Sequence, residues 1–268
     1  MKINMKKRFL FLSLLLIGAV FMWYTFFPQL IKVNVPVKNL PPSLEGVTIL
    51  HLSDLHSARF GNGQKRIFNL LRNKRIDIIV ITGDLIDFRR KKLEPGLELV
   101  ERATELAPVY YVPGNHERAS GLYEQLKEKL VTSKVHVLDN GTGLSYFTGN
   151  GFLTLIGVGL NGRVNADLSK LRAKGPVILL SHYPRVFNTY SGKGVDLILA
   201  GHTHGGQIRI PWIGALWVPG QGKFPKYDAG LFEQNGSYLY INRGLGTSGI
   251  PLRLFCRPEV TLVTLIGG

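Results

Sequence analysis

Residues 47–56 read VTILHLSDLH, and this stretch sets the expectation for the fold of the whole chain. Val47 to Leu52 is a β-branched, apolar run of the kind that forms a buried strand, and Asp54 and His56 follow it directly. Side chains alternate along a strand, so Asp54 and His56 point to the same side. Because open α/β sheets bind their ligands beyond the carboxyl ends of their strands, the stretch predicts an α/β fold with a polar site there.

Four further motifs repeat this arrangement along the chain. They are Gly83-Asp84, Gly114-Asn115-His116-Glu117, Ser181-His182 and Gly201-His202-Thr203-His204. Apolar runs at 76–82, 108–113, 177–180 and 196–200 precede them in that order. A lone Gly-Asp is more often a turn, and His51 and His136, which belong to no motif, are assigned to packing or surface. All five motifs together use five of the seven histidines and predict a site for two metal ions.

The residue types in these motifs indicate which metals are expected. Asp54 and His56 can bind one ion together, and Asp84 supplies the second carboxylate that two neighbouring cations need. Asn115 offers a neutral oxygen. Mixed oxygen and imidazole ligands suit manganese, iron or zinc, whereas magnesium and calcium prefer oxygen alone. We therefore expect two divalent metal ions, among which the sequence does not choose.

Strands and amphipathic helices alternate from Val47 onward in the order of βαβ units. The spacing of apolar residues predicts helices at Gln64 to Arg75, at Gly96 to Leu106 and around 122–130. From Gly143 to Val158, apolar alternation broken by Gly149-Asn150-Gly151 predicts a β-hairpin, and the strands near 238–242 and 259–265 have no helix between them. These patterns predict a four-layer α/β/β/α sandwich.

The five motifs, in this order, resemble those of the calcineurin-like metallophosphoesterases, from about Val47 to the C-terminus. The resemblance implies that the first metal ion is bound by Asp54, His56, Asp84 and His204. It implies that the second is bound by Asp84, Asn115, His182 and His202. It also implies that His116 and Asp84 are the catalytic residues, with His116 beside the leaving group. Glu117 is expected to orient the His116 ring.

Two later stretches narrow the resemblance. GHTHGGQI at 201–208 and NRGLGTS at 242–248 look like the bacterial membrane-anchored branch of the family. Members of that branch are linked to cell-envelope phosphodiesters, including hydrolysis of UDP-2,3-diacylglucosamine in lipid A synthesis. The resemblance implies a metal-dependent phosphoric ester hydrolase that cleaves phosphodiester or pyrophosphate bonds in a phosphorylated small-molecule or lipid-linked substrate.

The first 46 residues are predicted to attach the protein to a membrane. Residues 1–8 form a basic cytoplasmic N-terminus, the uncharged run 9–27 a transmembrane helix, and 28–46 a tether to a catalytic domain at 47–268. Four positive charges precede the apolar run, and Lys32 and Lys38 follow it. By the positive-inside rule, this asymmetry predicts a single-pass protein of the cell membrane with the catalytic domain outside the cytoplasm.

The chain is strongly basic, with a formal net charge of +15. Setting aside the four bases before the apolar run leaves 29 bases against 18 acids, or +11, so the folded domain is basic too. Such a surface attracts phosphates, anionic lipid or nucleic acid without choosing among them. Cys256 is the only cysteine, which excludes an intrachain disulfide. Its apolar neighbours predict a buried, unreactive side chain.

Several functional alternatives remain open at this point. A nuclease is one, since the surface is basic, but no nucleic-acid-binding motif accompanies it and we do not expect nucleic acid as a partner. A non-catalytic envelope module that binds polyanions is another. Arg89 to Lys92 could meet an anionic surface, and the aromatic stretch 212–232 could wall the site against a lipid or nucleoside group. Nothing indicates a protein partner.

Overall fold

The computed structural model describes residues 5–139, 141, 143–148 and 151–268, without the side chains at 7, 10 and 143–148. The helices are α1 Met5–Phe26, α2 Lys65–Leu70, α3 Glu94–Thr104, α4 Asn115–Ser120, α5 Tyr123–Thr132, α6 Leu168–Arg172 and α7 Phe187–Tyr190. The strands are β1 Gln29–Val37, β2 Thr48–Leu52, β3 Ile78–Ile81, β4 Val109–Tyr111, β5 His136–Val137, β6 Gly143–Thr148, β7 Gly151–Gly157, β8 Val177–Ser181, β9 Leu197–Ala200, β10 Arg209–Ile210, β11 Gly214–Ala215, β12 Trp217–Val218, β13 Gly222–Lys223, β14 Gly230–Gln234, β15 Ser237–Ile241 and β16 Glu259–Gly267. The predicted α/β class is confirmed.

Two six-stranded sheets form the centre of the molecule, in the orders β1-β16-β2-β3-β4-β5 and β14-β15-β9-β8-β7-β6. They face each other, since Ile49 and Val80 of the first sheet share a buried cluster with Leu155 and Leu180 of the second. Helices α2, α3 and α5 pack on the outer face of the first sheet, and α6 and α7 on that of the second. The layers therefore run helix, sheet, sheet, helix.

Parallel pairing sets where the polar motifs meet. In the first sheet β2 pairs with β3 and β3 with β4, all in parallel. In the second sheet β8 pairs in parallel with both β7 and β9. Parallel neighbours end at the same edge of a sheet, so the loops after β2, β3, β4, β8 and β9 come together.

Two predicted elements differ in detail from the structure. The helix expected from Gln64 to Arg75 is limited to α2, which begins after Gln64, a residue in the left-handed conformation with φ of 57°, and ends at Leu70. The predicted hairpin is present as the antiparallel pair β6 and β7, and its expected turn residues 149 and 150 lie outside the described residues.

Residues 28–46 do not form the tether that the sequence predicts. Gln29 to Val37 instead pair in parallel with β16 along their whole length, and the side chains of Val35 and Val37 are buried between the two sheets. Val33, Val35 and Val37 alternate with polar residues and proline, which is the period of a strand with one buried face. This first strand makes residues before Val47 part of the folded domain.

Helix α1 ends against the domain, where the Arg257 guanidinium donates to the Phe27 carbonyl and stacks on the Trp23 ring. Along the part of the chain that is described, no helix has both the length and the apolar character required to cross a membrane. The transmembrane assignment of 9–27 is therefore not supported.

Candidate metal centre

The structure brings all the predicted site residues to one place, at the carboxyl ends of five strands. Asp54 and His56 follow β2, Asp84 follows β3, Asn115 and His116 begin α4 after β4, and the last three histidines follow β8 and β9. The last three are His182, His202 and His204. All but Asn115 and His202 are buried, although every one of them carries a polar side chain.

Asp54, His56 and His204 form the first group. The Nε2 atoms of His56 and His204 are 3.0 Å apart, and Asp54 Oδ1 lies 3.5 Å from His204 Nε2 and 3.9 Å from His56 Nε2. One ligand atom from each residue lies within 4.8 Å of the others, so the three side chains can hold one ion.

Asp84, His182 and His202 form the second group. His182 Nε2 lies 3.3 Å from Asp84 Oδ2, 3.0 Å from Asn115 Oδ1 and 3.1 Å from His202 Nδ1. The same Asp84 Oδ2 is 3.4 Å from His56 Nε2 of the first group. One carboxylate oxygen therefore lies between the two groups, as a ligand shared by two cations must.

The donor atoms fit metal ions better than they fit one another. The two close ring-nitrogen contacts bring together atoms that are not natural hydrogen-bond partners unless one of each pair is protonated. The Nδ1 atom of His182 lies 2.8 Å from the carbonyl oxygen of Thr82. With the proton on Nδ1 for that bond, the Nε2 lone pair faces the centre of the site, which is how metal-binding histidines are commonly oriented.

Both carboxylates are held in their ionised form. Burial alone would raise the pKa of Asp54, but the neighbouring His204 and His56 hold it well below its ordinary value. Burial also opposes ionisation of Asp84, and the close His182 lowers its pKa in turn. The Asp84 charge raises the pKa of His182 to about 10, against the effect of burial. The carboxylates thus favour positive charge at the centre, and a divalent cation bound there would take the place of the Nε2 proton of His182.

The backbone of the site is unusually constrained. Asp54, His56, Asp84, His202 and His204 all have positive φ, between 48° and 71°. This left-handed conformation is uncommon outside glycine and costs of order 1 to 3 kcal/mol at each residue. The surrounding packing keeps these side chains aimed at a common point.

Glycines precede three of the candidate ligands, Asp84, Asn115 and His202, because the loops touch one another. A Cβ at Gly114 would collide with the carboxylate of Asp84, and one at Gly201 would collide with the hydroxyl of Ser53. Gly83 combines a φ of +88° with a close approach to the backbone of Gly114. The glycine in each motif is therefore required by the contact between loops from different strands.

His116 lies beside both groups with its two ring nitrogens facing opposite ways. Nε2 is directed to the centre, 4.0 Å from Asp84 Oδ2 and 3.5 Å from the Ser248 hydroxyl. Nδ1 is 3.5 Å from Asp87 Oδ2 and 3.3 Å from the backbone nitrogen of Phe88. A protonated ring donates from Nδ1 to Asp87, while a ring with Nδ1 unprotonated accepts from Phe88. Burial lowers the pKa of His116.

The expectation that Glu117 orients His116 is wrong. The Glu117 carboxylate accepts hydrogen bonds from the backbone nitrogens of Asp84, Ile86 and Gly114, at 2.9, 3.3 and 2.7 Å. It joins the loop after β3 to the loop after β4. Burial, with the Asp84 charge second, raises the pKa of Glu117 to about 7.

Asp87 is the functional candidate that the motifs did not reveal. Its carboxylate lies 3.4 Å from His56 Nδ1 as well as beside His116, and its Oδ1 accepts from the backbone nitrogens of Arg89 and Arg90. The first two residues of the basic run 89–92 thus hydrogen-bond to this buried carboxylate through their backbone nitrogens. The sequence did contain a signal for Asp87. It is a second acidic residue in the loop that carries Asp84, directly after the apolar pair 85–86.

The two histidines outside the motifs lie away from the centre. His51 is fully buried, its Nε2 lies 2.9 Å from the Thr82 hydroxyl, and burial lowers its pKa to about 3. His136 is exposed and stacks on the ring of Tyr110. Cys256 is buried, as predicted.

A cavity of about 390 Å³ opens directly above the centre. Its floor includes Asp84, Asn115, His116 and His202, and its walls come from the segment after β9 and from residues 248–250. Part of the aromatic stretch therefore does border the site, through Leu216, Trp217 and Pro219.

Comparison with known proteins places this geometry in a family. The calcineurin-like phosphoesterase family matches residues 47–206. An uncharacterized metallophosphoesterase of Aquifex aeolicus (strain VF5) is 32% identical over 265 residues, covering 94% of this chain and 97% of that protein. Phosphodiesterase YaeI of Escherichia coli (strain K12) is 32% identical over 225 residues, covering 81% and 82%. The uncharacterized metallophosphoesterase YkuE of Bacillus subtilis (strain 168) is 29% identical over 235 residues, covering 84% and 81%. The resemblance seen in the motifs is confirmed, and the chain belongs to the calcineurin-like phosphoesterase family.

Proposed function

We propose that the protein is a metal-dependent phosphoesterase that cleaves phosphodiester or pyrophosphate bonds in cell-envelope or lipid-linked substrates. The observation that carries the proposal is the position of Asp84 Oδ2, within 3.4 Å of ring nitrogens from both groups of ligands. Asp54, His56, Asp84 and His204 would hold one divalent cation. Asp84, Asn115, His182 and His202 would hold the other. Two such cations, when bound, polarise a phosphoryl group and make an attacking water more acidic.

The residues around this pair have separate tasks. His116 protonates the leaving oxygen from Nε2, the nitrogen that faces the centre. The Asp87 carboxylate accepts a hydrogen bond from Nδ1–H of the charged ring and so holds His116 in the orientation for proton transfer. Glu117 fixes the spacing of the loops that carry Asp84 and Asn115.

A diester or pyrophosphate fits this site better than a monoester. The cavity over His116 is larger than one phosphate group requires, and much of its wall is apolar. The name of the Escherichia coli relative, a phosphodiesterase, supports the same choice. The full set of predicted ligands argues against a non-catalytic module, since loss of ligands would accompany loss of chemistry.

The test is hydrolysis of bis(p-nitrophenyl) phosphate against p-nitrophenyl phosphate by the full chain, stripped with chelator and reloaded with manganese. We expect preference for the diester, loss of about a hundredfold or more in Asp84→Asn, and a smaller loss in His116→Ala. Absence of turnover with either ester, in protein that binds metal, would contradict the proposal. UDP-2,3-diacylglucosamine is the natural compound to assay next.

The location of the protein remains a prediction. A reporter fused to the C-terminus, active on only one side of the membrane, would test whether the catalytic domain faces away from the cytoplasm as the flanking charges predict. A cytoplasmic domain would favour a nucleotide-linked substrate, because such compounds are made there.

A further inference from the structure

Two cavities of different chemistry meet at the metal centre. The one above His116, of about 390 Å³, is called the apolar cavity here, and its walls are Ile208, Leu216, Trp217 and Ile250. The other, of about 290 Å³, is called the polar cavity after Arg185, Asn188 and Gln221 in its lining, although two prolines, Tyr183 and Tyr227 line it as well. His202 and Pro219 line both. A substrate whose phosphorus lies over the ligands can therefore reach into both.

The apolar cavity leaves large hydrophobic side chains uncovered. Trp217 is 53% exposed and Ile250 is 52% exposed, although both border a buried polar centre. Adjacent apolar groups in a concave wall are typical of a site for an apolar ligand. His116 and Ser248 line the same cavity. An apolar group bound in this cavity would therefore be attached to the leaving oxygen, which His116 protonates in the proposed reaction.

The polar cavity offers charge and hydrogen bonds instead. The Arg185 guanidinium lies 4.4 Å from the centre of the Tyr183 ring, and that ring packs edge-on against His202 at 4.5 Å. Arg185 and Asn188 are exposed, and among the residues that the structure describes none that lines the cavity is acidic. This side suits a polar, anionic group.

We infer that the substrate is an amphiphile whose apolar chain belongs to the leaving group and whose anionic head keeps the transferred phosphoryl group. The inference rests on the proposed function and states which part of the substrate lies on each side of the bond that breaks. His116 lines the apolar cavity and not the polar one. Water oxygen bonds to phosphorus, the bond from phosphorus to the chain-bearing oxygen breaks, and His116 gives that oxygen its proton. The proton lost by the water goes to solvent.

The chain side is tested by binding of butyl, hexyl and octyl phosphate to the manganese-loaded full chain, measured by calorimetry below the concentrations at which they form micelles. Each added methylene is expected to increase affinity about two- to fourfold while it stays in the cavity. Trp217→Ala should reduce this dependence on chain length. Trp212→Ala is the matched control, because Trp212 is fully exposed and lines neither cavity. Equal affinity for the three chains would overturn the inference.

The head side is tested by the gain from octyl phosphate to octyl diphosphate. The wild-type protein is expected to bind octyl diphosphate about three- to tenfold more tightly than octyl phosphate. Arg185→Gln should remove most of this gain in affinity. Lys193→Gln, at an exposed base outside both cavities, should retain it. A gain unaffected by Arg185→Gln would overturn this assignment of the polar cavity.

The two proposals fail in different ways. Hydrolysis of the nitrophenyl diester together with equal binding of all chain lengths would leave the phosphoesterase proposal standing and remove the inference. Chain-length-dependent binding without hydrolysis of any ester would remove the phosphoesterase proposal and, with it, the assignment of the leaving group, and would leave only an apolar binding site.

Discussion

The loops at the strand ends and the segment 207–226 are opposite in character, although they border the same cavity. In the loops, charged and polar side chains such as Asp54, Asp84 and His204 are buried. In the segment, Trp212, Trp217 and other large apolar side chains are exposed, 103% and 53% respectively. Each region places its side chains where an ordinary folded protein would not.

The difference indicates what each region lacks. Buried carboxylates and imidazoles need cations to offset their desolvation, and exposed indoles need an apolar surface to cover them. The loops can keep their arrangement without a ligand, because hydrogen bonds and packing hold them. The segment forms two short ribbons, β10–β11 and β12–β13, and is joined to the rest of the domain by the bridge between Ile208 and Leu254 and by hydrogen bonds to Asp228. We expect substitutions in the loops to affect folding and those in the segment to affect substrate choice.

Glu117→Ala is expected to have the largest effect on the loops. The change leaves three buried backbone N–H groups without their acceptor, and the free energy of unfolding should fall by about 3 to 5 kcal/mol. Urea denaturation of the full chain measures it. Glu128→Ala, at an exposed position of α5, is the matched control and should change stability by less than about 0.5 kcal/mol. Similar stability of the two variants would show that the loops are held independently of Glu117.

Gly114→Ala comes next. The added methyl group would lie against the Asp84 carboxylate, so the two loops must separate, and the free energy of unfolding should fall by about 1 to 3 kcal/mol. Metal content, measured after equilibration with manganese, should fall as well because Asp84 is shared by both groups. Gly18→Ala has open space around its Cβ and serves as control. Full metal content in Gly114→Ala would count against a shared Asp84.

The sequence could predict that the candidate metal ligands meet at one place because the relevant information is local. Each motif directly follows an apolar run, and a strand end places its next residues at the edge of the sheet regardless of what lies opposite. The glycines of the motifs are also visible in the sequence. Gly83 and Gly201 indicate positions where the structure brings a neighbouring loop too close for a Cβ atom.

The elements that prediction missed depend on distant partners. Gln29 pairs with Glu259 at the other end of the chain, so the local alternation of residues 33–37 is compatible with a strand but does not show that they join the first sheet. Asp87 contacts His116 from a different loop, whereas Glu117 lies next to His116 in sequence but points away. Adjacency in sequence favoured the wrong carboxylate because residues on a helical turn diverge.

Asp87→Asn should have a moderate effect, on catalysis and not on stability. The neutral amide stabilises a charged His116 ring less, so kcat should fall about tenfold to a hundredfold with little change in KM. The loss should be larger for phenyl than for p-nitrophenyl diesters, because the poorer leaving group depends more on the proton. Steady-state kinetics with both esters measure this. Equal losses with the two esters would indicate that Asp87 acts through His56 instead, which it also contacts.

Trp212→Ala should have the smallest effect and gives the sharpest check of the comparison. The indole is fully exposed, so its removal should change the free energy of unfolding by less than about 0.5 kcal/mol and leave hydrolysis of the nitrophenyl diester unchanged. Urea denaturation and steady-state kinetics measure both. A loss of stability that grows with protein concentration would mean that a second copy of the chain covers Trp212 in solution. The exposure of the segment would then reflect a protein contact, and its contrast with the buried loops would disappear.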